Sequence, residues 1–459
     1  MARVLLLNPP APGRPVLRDY ACGEVTKADY LWAPVDLLVL SGLLDAAHEL
    51  HVLDAIADDL PADAALERAA AFKPEVVFSL TAAVSLEHDD RFLSALKDRT
   101  GARVYGLGDV GSFAPVEGLA KSRAFDGFVQ HFADPSLIDL AAGSTDGLRS
   151  VVLRNGDTPT IRPVRTDGPL RYGRPRHDLF PLSRYRLPFT RWRSSTTVLT
   201  RYGCPFPCTF CASRNLPGQE RALDDVIDEL RYIQELGVAE VYIRDFTFGP
   251  TRRRAQELCS RMIDAGLRLR WSAECRLDVL DEETLRLMAR AGCEIILVGV
   301  ETGDEAVGRR LGKTVQLSRT HHILRTARDL GIRACGHFVL GTPDETREQI
   351  QATIRFARAL PLDYASFNLY APRLATDMRQ QLIAAGRLRD GDLTQQDVSA
   401  QAKSFAAVDA TELRRLFRWA VLSFFLEPTR VGRLLRDTPW STLARQGGGV
   451  LRGMLGAHL

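Results

Sequence analysis

Short unbroken apolar runs alternate with longer segments of helical period through roughly the first third of the chain. Val4 to Leu7 is stopped by Asn8-Pro9-Pro10. Glu75 to Leu80 follows Lys73-Pro74, Ala102 to Tyr105 ends at Gly106-Leu107-Gly108, and Phe125 to Val129 comes one βα unit later. Continuous apolar strands between helices predict a parallel sheet covered on both faces. Ligands of such sheets sit beyond the carboxyl ends of the strands. Those ends are Asn8-Pro9-Pro10, Ser79 to Ser85 with Thr81, and Gly106 to Ser112, all rich in small or turn-forming residues that let a ligand near the backbone.

The pattern breaks over residues 165–195, which carry eight Arg against two acids and several prolines. This stretch reads as a linker packed on the surface between domains. A second βα series follows, with strands expected at Thr196–Thr200, Glu240–Arg244, Leu269–Glu274, Glu294–Val300, Arg333–Leu340 and Tyr364–Tyr370. Helical patterns such as Leu223–Leu236 and Glu282–Ala291 lie between them. Six βα units close only part of the eight-unit barrel, whose chemistry sits at the carboxyl ends of the strands. From about Pro372 the chain is helical. The fold expected is therefore α/β: a Rossmann-like parallel-sheet domain (1–164), a linker (165–195), a partial (β/α)6 barrel (196–372) and a helical C-terminal region (373–459).

Composition adds exclusions. Hydrophobic residues make up 45% of the 459, charged residues 25%, and the net charge is +3. These values exclude a disordered or collagen-like chain and give no general case for nucleic-acid binding. No apolar run of about 18 residues or more appears, and the first ten residues lack a signal-peptide core, so the chain reads as cytoplasmic. From Glu412 onward, eight Arg face three acids in an amphipathic pattern, suited either to packing on its own domain or to peripheral contact with an anionic membrane.

The eight cysteines of such a chain are ligands or core residues rather than disulfides. Three of them, Cys204, Cys208 and Cys211, are spaced C-x3-C-x2-C directly after the first strand of the second series. Thiolates suit zinc or iron–sulfur clusters. A structural zinc wants four ligands, and no fourth Cys or His stands nearby at finger spacing. A [4Fe–4S] cluster on three cysteines leaves one iron open to another ligand. Gly203, Pro205 and Pro207 shape a short loop, and Phe210 adds an apolar face. Cys22, Cys259, Cys275, Cys293 and Cys335 read as core; Cys275 or Cys335 would become a hydrogen donor to a substrate radical only if its side chain points into the barrel.

The cysteine spacing in this position resembles the signature of the radical S-adenosylmethionine (SAM) enzymes. That resemblance implies that SAM chelates the open iron, and that its reductive cleavage gives a 5′-deoxyadenosyl radical which abstracts hydrogen from substrate. Later strand ends resemble the family's SAM-contacting segments. Asp245 and Thr247 would lie near the SAM amino group, Arg276 would pair with its carboxylate, and Glu301 would accept from the ribose hydroxyls. Phe338 to Glu345 resembles the glycine-containing turn near the adenine.

The N-terminal domain resembles that of the subfamily with a cobalamin-binding domain, the class of the anaerobic tetrapyrrole cyclase, hopanoid-modifying enzymes and natural-product methylases. Asn8-Pro9-Pro10, the segment from Trp32 to Leu44, Val52 to Ala55 and Gly106-Leu107-Gly108 carry the likeness. It implies cobalamin contacts at Asn8, Pro9, Ser79, Thr81, Gly106 and Gly108. Two departures stand against it: the D-x-H-x-x-G motif that gives cobalt a histidine is absent, and Gln130-His131-Phe132-Ala133-Asp134 replaces an acidic glycine motif. His131 is either a cofactor contact or a partly exposed structural residue. The excursion over residues 11–31, with Tyr20 and Cys22, is expected to cover corrinoid or substrate.

The resemblance implies a cobalamin-dependent radical SAM enzyme that methylates an unactivated carbon. It requires a low-potential electron donor such as flavodoxin or ferredoxin; the basic, apolar tail and the resemblance fit a large lipophilic or anionic small-molecule substrate, with peptides, sugars and antibiotics left open. The alternatives are a cyclase or rearrangement enzyme with the same cofactors, a radical SAM enzyme without cobalamin, and a non-catalytic iron–sulfur protein.

Overall fold

The computed structural model describes residues 1–11, 16, 18, 31–156, 158–164, 166–187, 194–313, 316–393, 396 and 403–437, without the side chains of 317 and 433–437. Tyr20, Cys22 and the chain beyond 437 lie outside the described residues.

The N-terminal strands are β1 (Arg3–Asn8), β2 (Glu49–Asp54), β3 (Val76–Leu80), β4 (Arg103–Leu107), β5 (Gly127–Val129), β6 (Val151–Leu153) and β7 (Thr160–Ile161). They form one sheet in the order β2-β1-β3-β4-β5-β6-β7. The first five are parallel, and β6 and β7 extend the edge antiparallel. The interior strands are apolar on both faces because helices cover both. The edge pair β6–β7 is too short to show a period in sequence. Helix Val35–Leu44 is buried all round, since it lies between β1 and the first strand of the second domain.

The second sheet comprises β8 (Ser195–Val198), β11 (Glu240–Ile243), β12 (Arg270–Cys275), β13 (Cys293–Glu301), β14 (Arg333–Leu340) and β15 (Tyr364–Leu369). They pair in parallel in sequential order, which curves into a partial barrel. Between β8 and β11, the short strands β9 (Arg201–Tyr202) and β10 (Gln219–Glu220) pair antiparallel and bracket the cysteine loop. Helices Arg252–Asp264, Glu282–Arg290, Glu305–Arg310 and Arg347–Ala359 start at Thr251, Asp281, Asp304 and Thr346, whose side chains accept N–H bonds from the first turn. Their apolar stripes pack on the outside of the strands, where Val241, Ile243, Trp271, Ala273, Cys275, Ala334, Phe338 and Phe367 form the core. Period-two alternation then turns Tyr242, Glu274, Cys335, His337 and Ser366 to the lumen.

One expectation is corrected in detail, and the helix of the C-terminal region follows one of its two alternatives, packing on its own domain. Within the stretch 165–195, the described residues 166–187 are no plain surface connector: Leu170, Phe180 and Tyr185 are buried in the N-terminal core, and Tyr185 donates to Asp54 Oδ2 at 2.9 Å. The helix Ala410–Phe425 is part of the barrel wall, because its buried face packs on β15 and on helix Arg347–Ala359. Among the described residues, no helix is long and apolar enough to cross a membrane.

Candidate functional site

The cysteine loop sits at the carboxyl end of β8. Gly203 opens it with φ +83°, and a Cβ there would meet Pro217 O at 2.3 Å. Only glycine fits a left-handed position packed that closely on the returning strand. Cys204 N donates to Ser213 O at 3.2 Å and Cys211 N to Cys208 O at 3.2 Å, so the loop closes on itself. Outside it, Thr209 N donates to Leu311 O at 3.1 Å and Thr209 Oγ1 to Arg310 O at 2.8 Å. Phe210 packs into a small cluster with Val307, Leu311, Tyr370 and Met378, fixing the loop to the far side of the barrel.

The three thiols lie within electrostatic reach of one another, and burial pushes those of Cys208 and Cys211 above the ordinary thiol range. Soft, half-buried thiols on a closed loop fit iron that ionises them. Among the described residues, no three His, Cys, Asp or Glu side chains converge where a single ion would hold them. A cube instead takes its thiolates at separate corners.

The strand ends that follow surround this loop. Thr247 Oγ1 lies 3.7 Å from Cys204 Sγ and donates to Phe246 O at 2.7 Å. Arg276 donates Nη1 to Cys208 Sγ at 3.2 Å, and its guanidinium lies 3.9 Å over the Phe206 ring. Its other nitrogens bond Asp278 at 3.0 and 2.7 Å. Glu301 ends β13 at φ +67°, beside a break in register with β14. A glutamate in that backbone region stores strain of about 1–3 kcal/mol, which such sites retain when the side chain has a task. Lys313, which sequence reasoning missed, holds it: Nζ lies 2.9 Å from Glu301 Oε1 and 2.5 Å from Gly299 O.

Asp245 is nearer the structural framework than the sequence suggests. One oxygen accepts from Thr200 N at 2.7 Å and Arg201 N at 3.0 Å, and the other from Thr200 Oγ1. The carboxyl therefore splints the entry to the cysteine loop, and burial raises its pKa to about 6. Glu345 does the same after β14, accepting from Gly341 N and Thr342 N at 2.8 Å each, with burial raising its pKa to about 7.

Inside the barrel, Tyr242 OH donates to Glu274 Oε1 at 2.7 Å, and His337 Nε2 is buried with no hydrogen-bond partner among the described residues. Trp32 of the N-terminal domain meets Tyr242 edge-on at 5.8 Å, and Arg244 lies over both rings. Cys275 is excluded from this lumen by its place in the outer core, while Cys335 faces it. None of these neighbours carries a local sequence signal, since each pairing joins different strands.

In the N-terminal domain, Asn8 Nδ2 donates to Asp54 Oδ1 at 2.9 Å. Thr81 Oγ1 donates to Asp89 Oδ2 at 2.9 Å. Ser79 is fully buried, and Gly106 is covered by Phe128 and Phe125. Asn8, Pro9, Thr81 and Gly108 gather at the crevice between β1 and β3; Ser79 and Gly106 belong to the packed sheet below it. His131 is buried rather than partly exposed, with Nε2 2.6 Å from Gln219 Oε1 and its ring on Tyr202 at 4.8 Å, so it ties β5 to the cysteine hairpin.

Residues 198–357 match the model of the radical SAM superfamily. The chain is 26% identical to an uncharacterised methyltransferase from Pyrococcus horikoshii over 86% of this chain and 88% of that protein. The fold matches the radical SAM methyltransferase TsrM from Kitasatospora setae, determined with cobalamin and a [4Fe–4S] cluster. The TM-score is 0.65, with 20% identity over 84% of this chain and 75% of that one. It also matches OxsB, a cobalamin-dependent SAM radical enzyme, at TM-score 0.71 and 14% identity over 99% of this chain and 72% of that one.

Proposed function

From a chain whose residues 198–357 are a radical SAM domain, we propose a cobalamin-dependent radical SAM enzyme that methylates an unactivated carbon of a small molecule. The observation that carries it is the Cys204–Cys208–Cys211 loop, ringed by Thr247, Arg276 and the Lys313-held Glu301. When bound, the cluster and SAM supply a carbon radical that removes hydrogen from substrate, and methylcobalamin supplies the methyl group.

The chain's own residues do the rest. Cys204, Cys208 and Cys211 would hold the cluster. Arg276, spanning Cys208 and Asp278, is placed to take the SAM carboxylate beside the cluster, and Glu301 to accept from the ribose hydroxyls. Thr247 adds a hydroxyl on the Cys204 side. Asp245 and Glu345 are positioning residues, which fix the loop entry and the turn after β14. Asn8, Pro9, Thr81 and Gly108 line the corrinoid crevice, with Ser79 and Gly106 as its floor.

The substrate's reacting part enters a polar lumen with Glu274, His337 and Ser366, so a lipophilic substrate would keep its apolar portion outside it. A low-potential flavodoxin or ferredoxin supplies the electrons. Trp419 and Leu426, exposed at 56% and 64% near Arg418, form the described part of a surface suited to an anionic membrane.

The test is protein made with added corrinoid, purified and reconstituted without oxygen, then assayed for corrinoid content and SAM cleavage. About one corrinoid per chain, with cleavage of SAM to 5′-deoxyadenosine, supports the reading. Cleavage without corrinoid removes methyl transfer from cobalt, and a product without an added CH₂ points to cyclisation or rearrangement.

A further inference from the structure

The order of the N-terminal sheet reverses at β1, where the chain runs from β2 back across to β3. The crevice beyond the carboxyl ends of β1 and β3 is therefore the ligand position of this sheet type. It is filled by a side chain of the protein itself. Arg18 is fully buried there and faces a fully buried Asp89. Its Nε donates to Asp89 Oδ2 at 3.0 Å, and Nη2 donates to Asp89 Oδ1 at 2.7 Å and Pro10 O at 3.0 Å. Nη1 donates to Asn8 Oδ1 at 3.0 Å and Pro9 O at 2.8 Å.

Asp89 also accepts from Thr81 Oγ1 at 2.9 Å and Ser85 Oγ at 2.6 Å. Gly108, at φ +103°, presses against the same segment: a Cβ there would meet Arg18 O at 2.6 Å and Thr81 O at 2.3 Å. Asn8, Pro9, Thr81 and Gly108, four of the six positions assigned to corrinoid contact, thus all touch Arg18 or its counter-ion.

We propose that Arg18 is an internal occupant of the corrinoid crevice, and that the cofactor displaces it on loading. This rests on the reading of the N-terminal domain as a corrinoid-binding one. A buried ion pair stabilises a fold poorly compared with well-packed apolar side chains, and its best-attested use is to set register or serve as a switch. This pair has the switch's construction. Every donor of the guanidinium is satisfied inside the crevice, so the closed form is well defined. The guanidinium is held by two carbonyls, a side-chain amide and a carboxylate that two hydroxyls support in turn, groups which the amide arms and nucleotide of a corrinoid can engage in its place. A self-occupied site binds its ligand with an apparent affinity reduced by the fraction of time it is open, so a crevice closed nine-tenths of the time would bind about tenfold more weakly.

The experiment uses the full chain purified without corrinoid, titrated with hydroxocobalamin and followed by absorbance. Wild type is compared with Arg18→Gln and with the paired R18Q/D89N variant, which leaves no lone buried charge and so protects the fold. Circular dichroism confirms folding of each. The paired variant should load corrinoid about tenfold more tightly or faster, the effect of removing a closed state that dominates the free protein. In wild type, trypsin should leave the Arg18–Asp19 bond intact before loading and cut it afterwards, read by mass spectrometry. Equal affinity and rate in wild type and paired variant, or equal protection of that bond in loaded and unloaded protein, overturns the proposal and leaves the corrinoid reading standing. Absence of corrinoid from all forms, with SAM still cleaved, overturns the corrinoid reading and this inference with it.

Discussion

Lys313 and Glu301 pair at 2.9 Å at the mouth of the barrel, and the same ammonium reaches the carbonyl of Gly299. The pair bridges the end of β13 and the turn after helix Glu305–Arg310, so the strained Glu301 backbone is held from both sides. Both side chains are about nine-tenths buried.

Removing the ammonium frees the Glu301 carboxylate to rotate and raises the cost of leaving it buried. Lys313→Met should weaken SAM binding about tenfold or more, the scale of a charge-supported hydrogen bond at about 1.5–3 kcal/mol. Glu301→Gly separates the two roles. Glycine accepts the positive φ without strain, so this variant should fold and bind iron yet bind SAM poorly. Equilibrium dialysis with SAM, beside iron content, checks both; SAM affinity at the wild-type level in both variants would remove Glu301 from the site.

The cysteines divide into two groups by position. Cys204→Ala, Cys208→Ala and Cys211→Ala should each lose cluster iron and all SAM cleavage. Cys259, Cys275 and Cys293 are buried in the same outer core, within electrostatic reach of one another. Their Ala variants should keep full iron and lose only stability, by about 1 kcal/mol for a small cavity. Iron and sulfide analysis after anaerobic reconstitution distinguishes the groups.

Gly203→Ala tests the loop rather than its ligands. The new methyl would lie 2.3 Å from Pro217 O on a residue at φ +83°, so the hairpin β9–β10 and the loop cannot both keep their places. Reconstituted iron per chain should fall well below wild type while far-ultraviolet circular dichroism is unchanged. Full iron in this variant would show that the loop adjusts at no cost to the site.

Much of this arrangement is legible in the sequence because it is local. The barrel strands announce themselves as apolar runs bounded by turns, and β14 begins and ends at the residues expected, Arg333 and Leu340. The cysteine loop is a contiguous motif whose spacing carries its chemistry. Direction is what the pattern lacks. Asp245 stands at a strand end, as the family's SAM-contacting segment does, but which way its carboxyl turns depends on the Thr200 and Arg201 amides, more than forty residues earlier. Lys313 and Tyr242 are silent in sequence for the same reason: their partners, Glu301 and Glu274, lie on other elements. The Arg18–Asp89 pair joins residues 71 apart, and no local pattern marks either.

Asp245 gives a prediction with a definite sign in pH. Its folded pKa of about 6 stands above the unfolded value of 3.8 because burial disfavours the charge more than its hydrogen bonds favour it. The folded state therefore prefers the protonated carboxyl. Its contribution to stability is fully present below the unfolded pKa and is lost as pH rises through the folded one, about 3 kcal/mol across that window. Asp245→Asn keeps acceptors for the Thr200 and Arg201 amides and never ionises. The difference in thermal midpoint between the variant and wild type should thus shift in the variant's favour from pH 4 to above pH 6, then level off. Thermal melts of corrinoid-free and cluster-free protein across that range measure it. A difference that stays flat, or turns toward wild type, would mean that the Asp245 carboxylate is held charged in the fold, with the amides of Thr200 and Arg201 outweighing its burial.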